Sequence, residues 1–375
     1  MGYNKKAYYE YEEKLYSLTR GTDCTPKAIN ELFAELLTVL PNNGKLYKYK
    51  ALDTFHIDEL EEKYVWFSSA KDLNDDKDCT FNANFLKDVK EIIKYLLTDD
   101  NYRKFLIKVF YNKYQFKGVT LEEIKDCLEC VTKNGKAIGK LKFIEFCKKY
   151  RLSLSQSDEL AGMIVRYSEE NLDKEKLTQS IINTFLQIKE LRNYQHVLSL
   201  TTSYKKDSMW AYYCKNKGIC LEYDFSKINS EDLKRRFINT QKVRYGKKKR
   251  VSYADIFKLK FTDNKEEIIQ ADKLTLGQML TKDKSWQTED EWRVLLFNKG
   301  NEEGTRIPAN IVSAIYIDYS ILQEEKTKRI IDLAKTNGWQ VFVRYFDNLN
   351  VEYRYETIEK TKQRITELKK EGFLR

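Results

Sequence analysis

Apolar residues recur at two different spacings along this chain, and the change of period divides it. In the first forty residues the spacing is helical. Pro26 after Thr25 opens TPKAINELFAELLTVL and Pro41-Asn42-Asn43-Gly44 follows it, so two helices are predicted before residue 44. LYKYK (46–50) then alternates with period two, residues 53–63 read as a short helix capped by Asp53 or Thr54, and YVWFSS (64–69) as a second strand. From 84 to 192 the helical period returns in FLKDVKEIIKYLL, YRKFLIKVFYNKY, KLKFIEFCKKY and KLTQSIINTFLQIKEL, which predicts five or six helices and no strand.

Strands resume at HVLSLTTS (196–203), followed by a short helix SMWAYYCKN and a strand GICLEYDF (218–225). Further strands are predicted at INTQKVRYG, EWRVLLF, TRIP, SAIYID, WQVFVRYF and VEYRYE, with helices near 265–280, 321–336 and 356–371. The chain therefore divides into an N-terminal helical extension (1–44), a first part of an α+β domain (45–83), a helical insertion (84–192), and the rest of the α+β domain with its C-terminal helix (193–375). A mixed or antiparallel sheet is expected.

Composition narrows the chemistry. With 42% hydrophobic and 33% charged residues but only 3 Pro and 14 Gly in 375 residues, the chain is neither collagen-like nor low-complexity. Two histidines, His56 and His196, exclude a three-histidine metal site and a two-histidine helix motif, which directs attention to carboxylates, hydroxyls and tyrosines. No run approaches the roughly 18 apolar residues of a membrane helix. A soluble, cytoplasmic protein with no membrane partner is expected, its seven cysteines reduced thiols. Cys127 and Cys130 form a CxxC without a second pair at zinc spacing, inside a helical pattern, and read as packing residues; no metal is expected.

Familiar motifs are missing. Gly135, Gly139 and Lys140 imitate a phosphate loop, but three residues separate the glycines where four are required, and Leu141 stands where Ser or Thr should be. GxGxxG, GxSxG and HExxH are absent, and nothing local supports a cysteine paired with His56 or His196. The excess charge of +10 is spread along a Lys-rich chain, and its densest basic cluster is Lys247, Lys248, Lys249 and Arg250, just after Arg244 and Tyr245. A basic loop beside an aromatic can hold phosphates and stack a base, and so is a candidate nucleic-acid contact; such runs are also commonly solvated turns.

Four segments are chemically richer than a core requires: LYKYK; WFSSAKDLNDDKDC; SLTTSYKKDSMWAYYCKNKGICLEYD; and SWQTEDEWRVLLF. Alternation in the first puts Tyr47 and Tyr49 on one face and Leu46, Lys48 and Lys50 on the other. The second ends a strand in two hydroxyls, Ser68 and Ser69. The third carries Met209, Trp210 and Tyr213 ahead of Gly218. In the last, alternation puts Glu289, Glu291 and Arg293 on one face and Trp292, Val294 and Leu296 on the other. The charged face is expected at a solvent-facing edge, with Arg293 as counter-charge.

The order LYKY, FSSAKDLND with Asp78-Cys79, SLTT with MW, YY and KGIC, then W-x-x-E-x-E-W-R resembles the bacterial domain-of-unknown-function family 2971 over about residues 45–345. Where that family's turn reads N-D-P-F-D-C or similar, this chain has Asp76 and Lys77 in place of Pro-Phe.

The order of elements is also similar to the ADP-ribosyltransferase fold, which implies a split sheet and NAD as substrate. By that resemblance Lys48 beside Tyr47 takes the first-strand position at the ribose. Ser68 or Ser69 supplies the hydroxyl, Trp210 and Tyr213 the aromatic faces for nicotinamide, and Glu291 is catalytic with Glu289 orienting an acceptor. The implied function is an NAD-using effector that modifies a macromolecular target, of the kind found among bacterial toxins and phage-defence proteins. The alternatives are a non-enzymatic nucleic-acid or protein-binding module, and a metal-dependent nuclease using Asp75, Asp78, Glu289 and Glu291.

Overall fold

The computed structural model describes residues 4–18, 25–98, 101–114, 118–133, 143–153, 155–158, 160–162, 179, 182, 195–260, 264–297 and 303–371. Its strands are β1 (Lys45–Ala51), β2 (Tyr64–Ser69), β3 (Gln195–Thr201), β4 (Gly218–Asp224), β5 (Thr240–Lys242), β6 (Arg244–Tyr245), β7 (Thr281–Lys282), β8 (Glu291–Phe297), β9 (Gly304–Pro308), β10 (Val312–Asp318), β11 (Gln340–Asp347) and β12 (Glu352–Thr357). The main sheet runs β12-β11-β10-β4-β1-β3-β2-β9, with β8 also on β3 and β5 on β8. Pairings in it are antiparallel except β10 with β11. The fold is α+β, as expected, with a mixed and largely antiparallel sheet.

One irregularity of pairing matters for everything below. β1 follows β4 over seven registers, from Lys45↔Asp224 to Ala51↔Gly218, yet meets β3 only at Tyr47↔Thr201. β3 meets β2 at Ser68↔Val197 and Ser69↔His196, and it keeps β8 along its other edge for all seven residues. Ser199 and Leu200 thus have no strand partner on the β1/β2 side. The sheet is split there.

Local chemistry accounts for the elements. Thr25 caps the helix Pro26–Val39 by accepting from the Ala28 amide, and Asp53 caps Thr54–Glu61 by accepting from the His56 amide. Asn42 and Asn43, both left-handed (φ 53° and 57°), turn the chain into β1. Gly218 opens β4 where a side chain has no room, because an added Cβ would lie 2.3 Å from the Lys50 carbonyl oxygen.

Two compact units emerge from the contacts. One comprises Met1–Phe81, Glu190–Lys249 and Leu276–Arg375, and the other Asn82–Lys189 and Arg250–Thr275. In the first, the N-terminal helices Lys5–Leu18 and Pro26–Val39 join the main core through Tyr11, Leu15, Phe33 and Leu36, together with Trp292 and Val294 of β8. Tyr8 meets Trp292 edge-on at 5.4 Å. The extension is therefore part of that core. In the second unit the described elements are helical. Val89, Ile92 and Leu96 of Phe85–Leu96 pack on Ala254, while Leu106, Ile124 and Cys127 form a separate cluster. Cys127 is thus a packing residue, and the glycine-lysine segment 135–140 lies outside the described residues.

Candidate functional site

The split opens into a cavity of about 160 Å³. Its walls come from all four segments singled out in the sequence: Tyr47, Lys48 and Tyr49 of β1; Ser68 of β2 with Asp72 to Asp75 and Asp78; Ser199 to Thr201 of β3 with Met209 and Tyr213; and Trp286, Glu289, Glu291 and Arg293, joined by Lys282. Met209 and Tyr213 are four apart on the helix Asp207–Cys214 and so share one face.

At the base of the cavity is a buried ion network. The Arg293 guanidinium is forked twice: its Nε and Nη2 donate to the two oxygens of Glu291 (2.7 and 3.0 Å), and its Nη1 and Nη2 to Asp78, the Nη1 bond being 2.9 Å. Nη1 also donates to the Met279 carbonyl at 2.6 Å. The Lys282 ammonium donates to Glu289 (2.6 Å) and Glu291 (3.3 Å), lies 3.8 Å from Asp78, and sits 4.7 Å above the Trp286 ring. Three carboxylates thus share two cations. Arg293 is 0% exposed and Glu291 3%. Burial alone would raise the Glu291 pKa, but the charges of Arg293 and Lys282 outweigh it and hold the carboxyl at about 2.

Glu289 is held from both sides, since Tyr213 donates to its other oxygen at 2.6 Å. The backbone between the two glutamates is not a strand. Glu289 ends a short 3₁₀ turn and Asp290 is left-handed (φ 44°, ψ 56°), its carboxylate taken by Lys242 and Thr202. Both glutamates nevertheless reach Lys282. Period-two alternation anticipated their common side for a reason that does not apply.

The expectation of a solvent-facing charged edge is overturned, because β8 is an interior strand between β3 and β5 and both faces are covered. Two further residues are corrected. Ser69 alternates away from the cavity and is 0% exposed. Trp210 is likewise 0% exposed, with its indole N–H donating to the Tyr204 carbonyl at 2.8 Å and its ring edge-on to Tyr49 at 5.3 Å; it holds the helix Asp207–Cys214 in place and does not line the cavity. Tyr47 does line it, while its hydroxyl donates away to Glu222 at 3.2 Å. Lys48, Ser68, Tyr213, Glu289 and Glu291 all converge on it.

The basic loop divides. Lys247, Lys249 and Arg250 are exposed, but Lys248 donates to the carbonyls of Lys77 (2.6 Å) and Thr80 (3.2 Å). It thereby braces the turn in which Asp76 and Lys77 replace Pro-Phe. That turn also has the Asp78 amide donating to the Asp75 carbonyl at 2.8 Å. Lys248 is thus a structural lysine among exposed ones.

For the nuclease reading, Asp78, Glu289 and Glu291 are already neutralised by Arg293 and Lys282. Among the described residues no group of three or more His, Cys, Asp or Glu is placed to hold a metal ion. The histidines have structural partners: His196 Nδ1 lies 2.6 Å from the Thr305 hydroxyl and His56 Nδ1 3.0 Å from the Ala51 carbonyl. Burial pushes the Cys79 thiol up to about 11, which opposes thiolate chemistry. Among the described residues no helix is long and apolar enough to cross a membrane.

Sequence reasoning missed Lys282, Asp78's partner, and the lining roles of Ser199 and Trp286. Lys282 gave no local signal in a chain with 67 Lys and Arg. Trp286 did, as the first residue of W-x-x-E-x-E-W-R.

No curated protein and no solved structure matches the chain. Residues 209–294, which supply Met209, Tyr213, Lys282, Trp286, Glu289, Glu291 and Arg293 to the cavity, match the model of a protein family of unknown function, DUF2971.

Proposed function

We propose that the cavity takes the nicotinamide end of NAD, breaks the nicotinamide–ribose bond, and passes ADP-ribose to a macromolecular acceptor. The observation that carries this reading is the convergence of Lys48, Ser68, Tyr213, Glu289 and Glu291 on one cavity at the split of the sheet. A volume of about 160 Å³ is close to that of cavities known to accept a single benzene ring. It suits one planar ring, not a whole dinucleotide.

The chemistry asks little of acids and bases. The bond's electron pair leaves with the ring nitrogen, so nicotinamide departs neutral, and positive charge develops on the ribose. Glu291, at about 2, is ionised throughout the physiological range. Its own charge is offset by Arg293 and Lys282, but the cluster's three carboxylates exceed its two cations by one, and that surplus negative charge is held in place with nothing left to reorganise. Glu291 cannot serve as a proton donor, and breaking this bond needs none; the acceptor's nucleophilic atom then bonds to the ribose C1 carbon, and its proton passes to solvent. Tyr213 and Met209 supply faces for the leaving ring, and Ser68 a hydroxyl for its amide.

The test is incubation of the purified protein with labelled NAD and candidate protein, RNA and DNA acceptors. Nicotinamide release and label transfer are expected, with a loss of at least about a hundredfold in Glu291→Gln. Absence of both NAD binding and nicotinamide release in the wild type would sink the reading. Salt-dependent nucleic-acid binding that survives Glu291→Gln but falls when Lys247, Lys249 and Arg250 are neutralised would favour a binding module instead.

A further inference from the structure

Of the cations lining the cavity, two are fully engaged and one is not. Arg293 and Lys282 are committed to carboxylates. On β1 the neighbouring lysines are also paired, Lys45 with Glu222 at 2.7 Å and Lys50 with Glu59. Lys48 lies between them and lines the cavity, yet makes no hydrogen bond or ion pair among the described residues. It is half-buried. A cation kept from water without a partner is costly unless it is used.

We propose that Lys48 is a nucleophilic amine that condenses with the aldehyde of an open-chain sugar admitted to the cavity. The Nζ lone pair attacks the carbonyl carbon, both protons of the neutral amine pass in turn from nitrogen to oxygen, and the oxygen leaves as water while the nitrogen's freed electron pair completes the C=N bond. Amine plus aldehyde gives imine plus water, with no change of oxidation state and no further reactant.

Two features support this. Burial, aided by repulsion from Lys50 and opposed by attraction to Glu59, Glu291 and Glu289, lowers the Lys48 pKa to about 8. Near pH 8 about half of the amine is then free, against less than about 1% for an ordinary lysine near 10.4. Surrounding hydroxyls and carboxylates, among them Ser68, Ser199 and Glu289, suit a polyhydroxylated chain better than an apolar aldehyde. The inference does not depend on NAD cleavage. If both hold, ADP-ribose set free by water in place of the acceptor carries its own latent C1 aldehyde, and Lys48 becomes a site of self-modification.

The experiment is reductive trapping. The full chain is incubated with ribose 5-phosphate and sodium cyanoborohydride at pH 8, and adducts are located by peptide mass spectrometry, with glycolaldehyde as a small second probe. Lys48 should be labelled at least about tenfold faster than the exposed Lys205, Lys217 and Lys247. That adduct should vanish in Lys48→Met, whose circular dichroism should match the wild type. Labelling of Lys48 no faster than the exposed lysines by either probe overturns the proposal. Labelling by glycolaldehyde but not by ribose 5-phosphate overturns the assignment of a sugar as the ligand. Because neither probe contains nicotinamide, the outcome is independent of whether NAD is a substrate.

Discussion

Arg293 and Asp78 stand 215 residues apart in the chain and face each other fork to fork beneath the cavity, both almost wholly shielded from water. The same guanidinium closes a second fork on Glu291, so one side chain ties the loop after β2 to β8. Breaking such a buried pair by removing one partner costs roughly 3–5 kcal/mol, because the survivor is left charged and dry. Asp78→Ala and Arg293→Lys should both lose stability of that order, lysine being unable to fill two forks. Urea midpoints measure this, and a double-mutant cycle giving no coupling between Asp78 and Arg293 would contradict it.

Glu291 makes a separate prediction about acid. Its folded pKa of about 2 lies below the ordinary glutamate value near 4.3. The resulting stabilisation is fully present above about pH 4.3 and is lost as pH falls toward 2, with a magnitude of roughly 3 kcal/mol. Glu291→Gln should flatten this limb of the stability profile. NAD cleavage should likewise show no titration of Glu291 between pH 5 and 8; a limb in that range that disappears in the Gln variant would show that Arg293 does not hold the charge.

Much of this architecture was legible locally, and the limits are physical. Caps at Thr25 and Asp53, the alternation of β1, and the helix carrying Met209 and Tyr213 all depend on residues within a few positions of each other. Partnership across 215 residues does not, and neither does the burial of β8. Its charged face looked like a solvent edge because the residues that cover it, Asp78 and Lys282, are ordinary surface types in sequence. Ser68 and Ser69 were indistinguishable until β2 was placed between β3 and β9, after which alternation sends only Ser68 to the cavity. The split itself follows from which strands pair, and local pattern carries no information on that.

Lys48 should weaken the fold that carries it. A lysine whose folded pKa of about 8 lies below its unfolded value opposes folding while it is protonated. The penalty is full below about pH 8 and fades as pH rises from 8 to about 10.4. Lys48→Met removes the charge and keeps the apolar stem, so it should stabilise the protein at pH 7 by roughly 1–3 kcal/mol. Thermal melts at pH 7 and pH 10 decide it: the advantage of the Met variant should shrink at the higher pH, and a destabilised variant at pH 7 would mean that Lys48 has a partner in solution.

Trp210 and Tyr213, three residues apart on one helix, should fail in opposite ways. Trp210 is sealed among Tyr49, Tyr204 and the Arg344 guanidinium, which lies 5.0 Å above its ring. Trp210→Ala opens a large void there and should cost roughly 3–5 kcal/mol. Tyr213→Phe keeps the ring and deletes only the hydroxyl that donates to Glu289, which still has Lys282. Its stability should fall by no more than about 1.5 kcal/mol. Its effect belongs in the cavity, where Glu289 is freed on one side and nicotinamide release should drop. The pair is read together in one experiment, denaturant melts beside NAD turnover at matched folded fraction. If Tyr213→Phe proves as unstable as Trp210→Ala, or turns over NAD at the wild-type rate, then the hydroxyl between Tyr213 and Glu289 is scaffolding and plays no part in the cavity's chemistry.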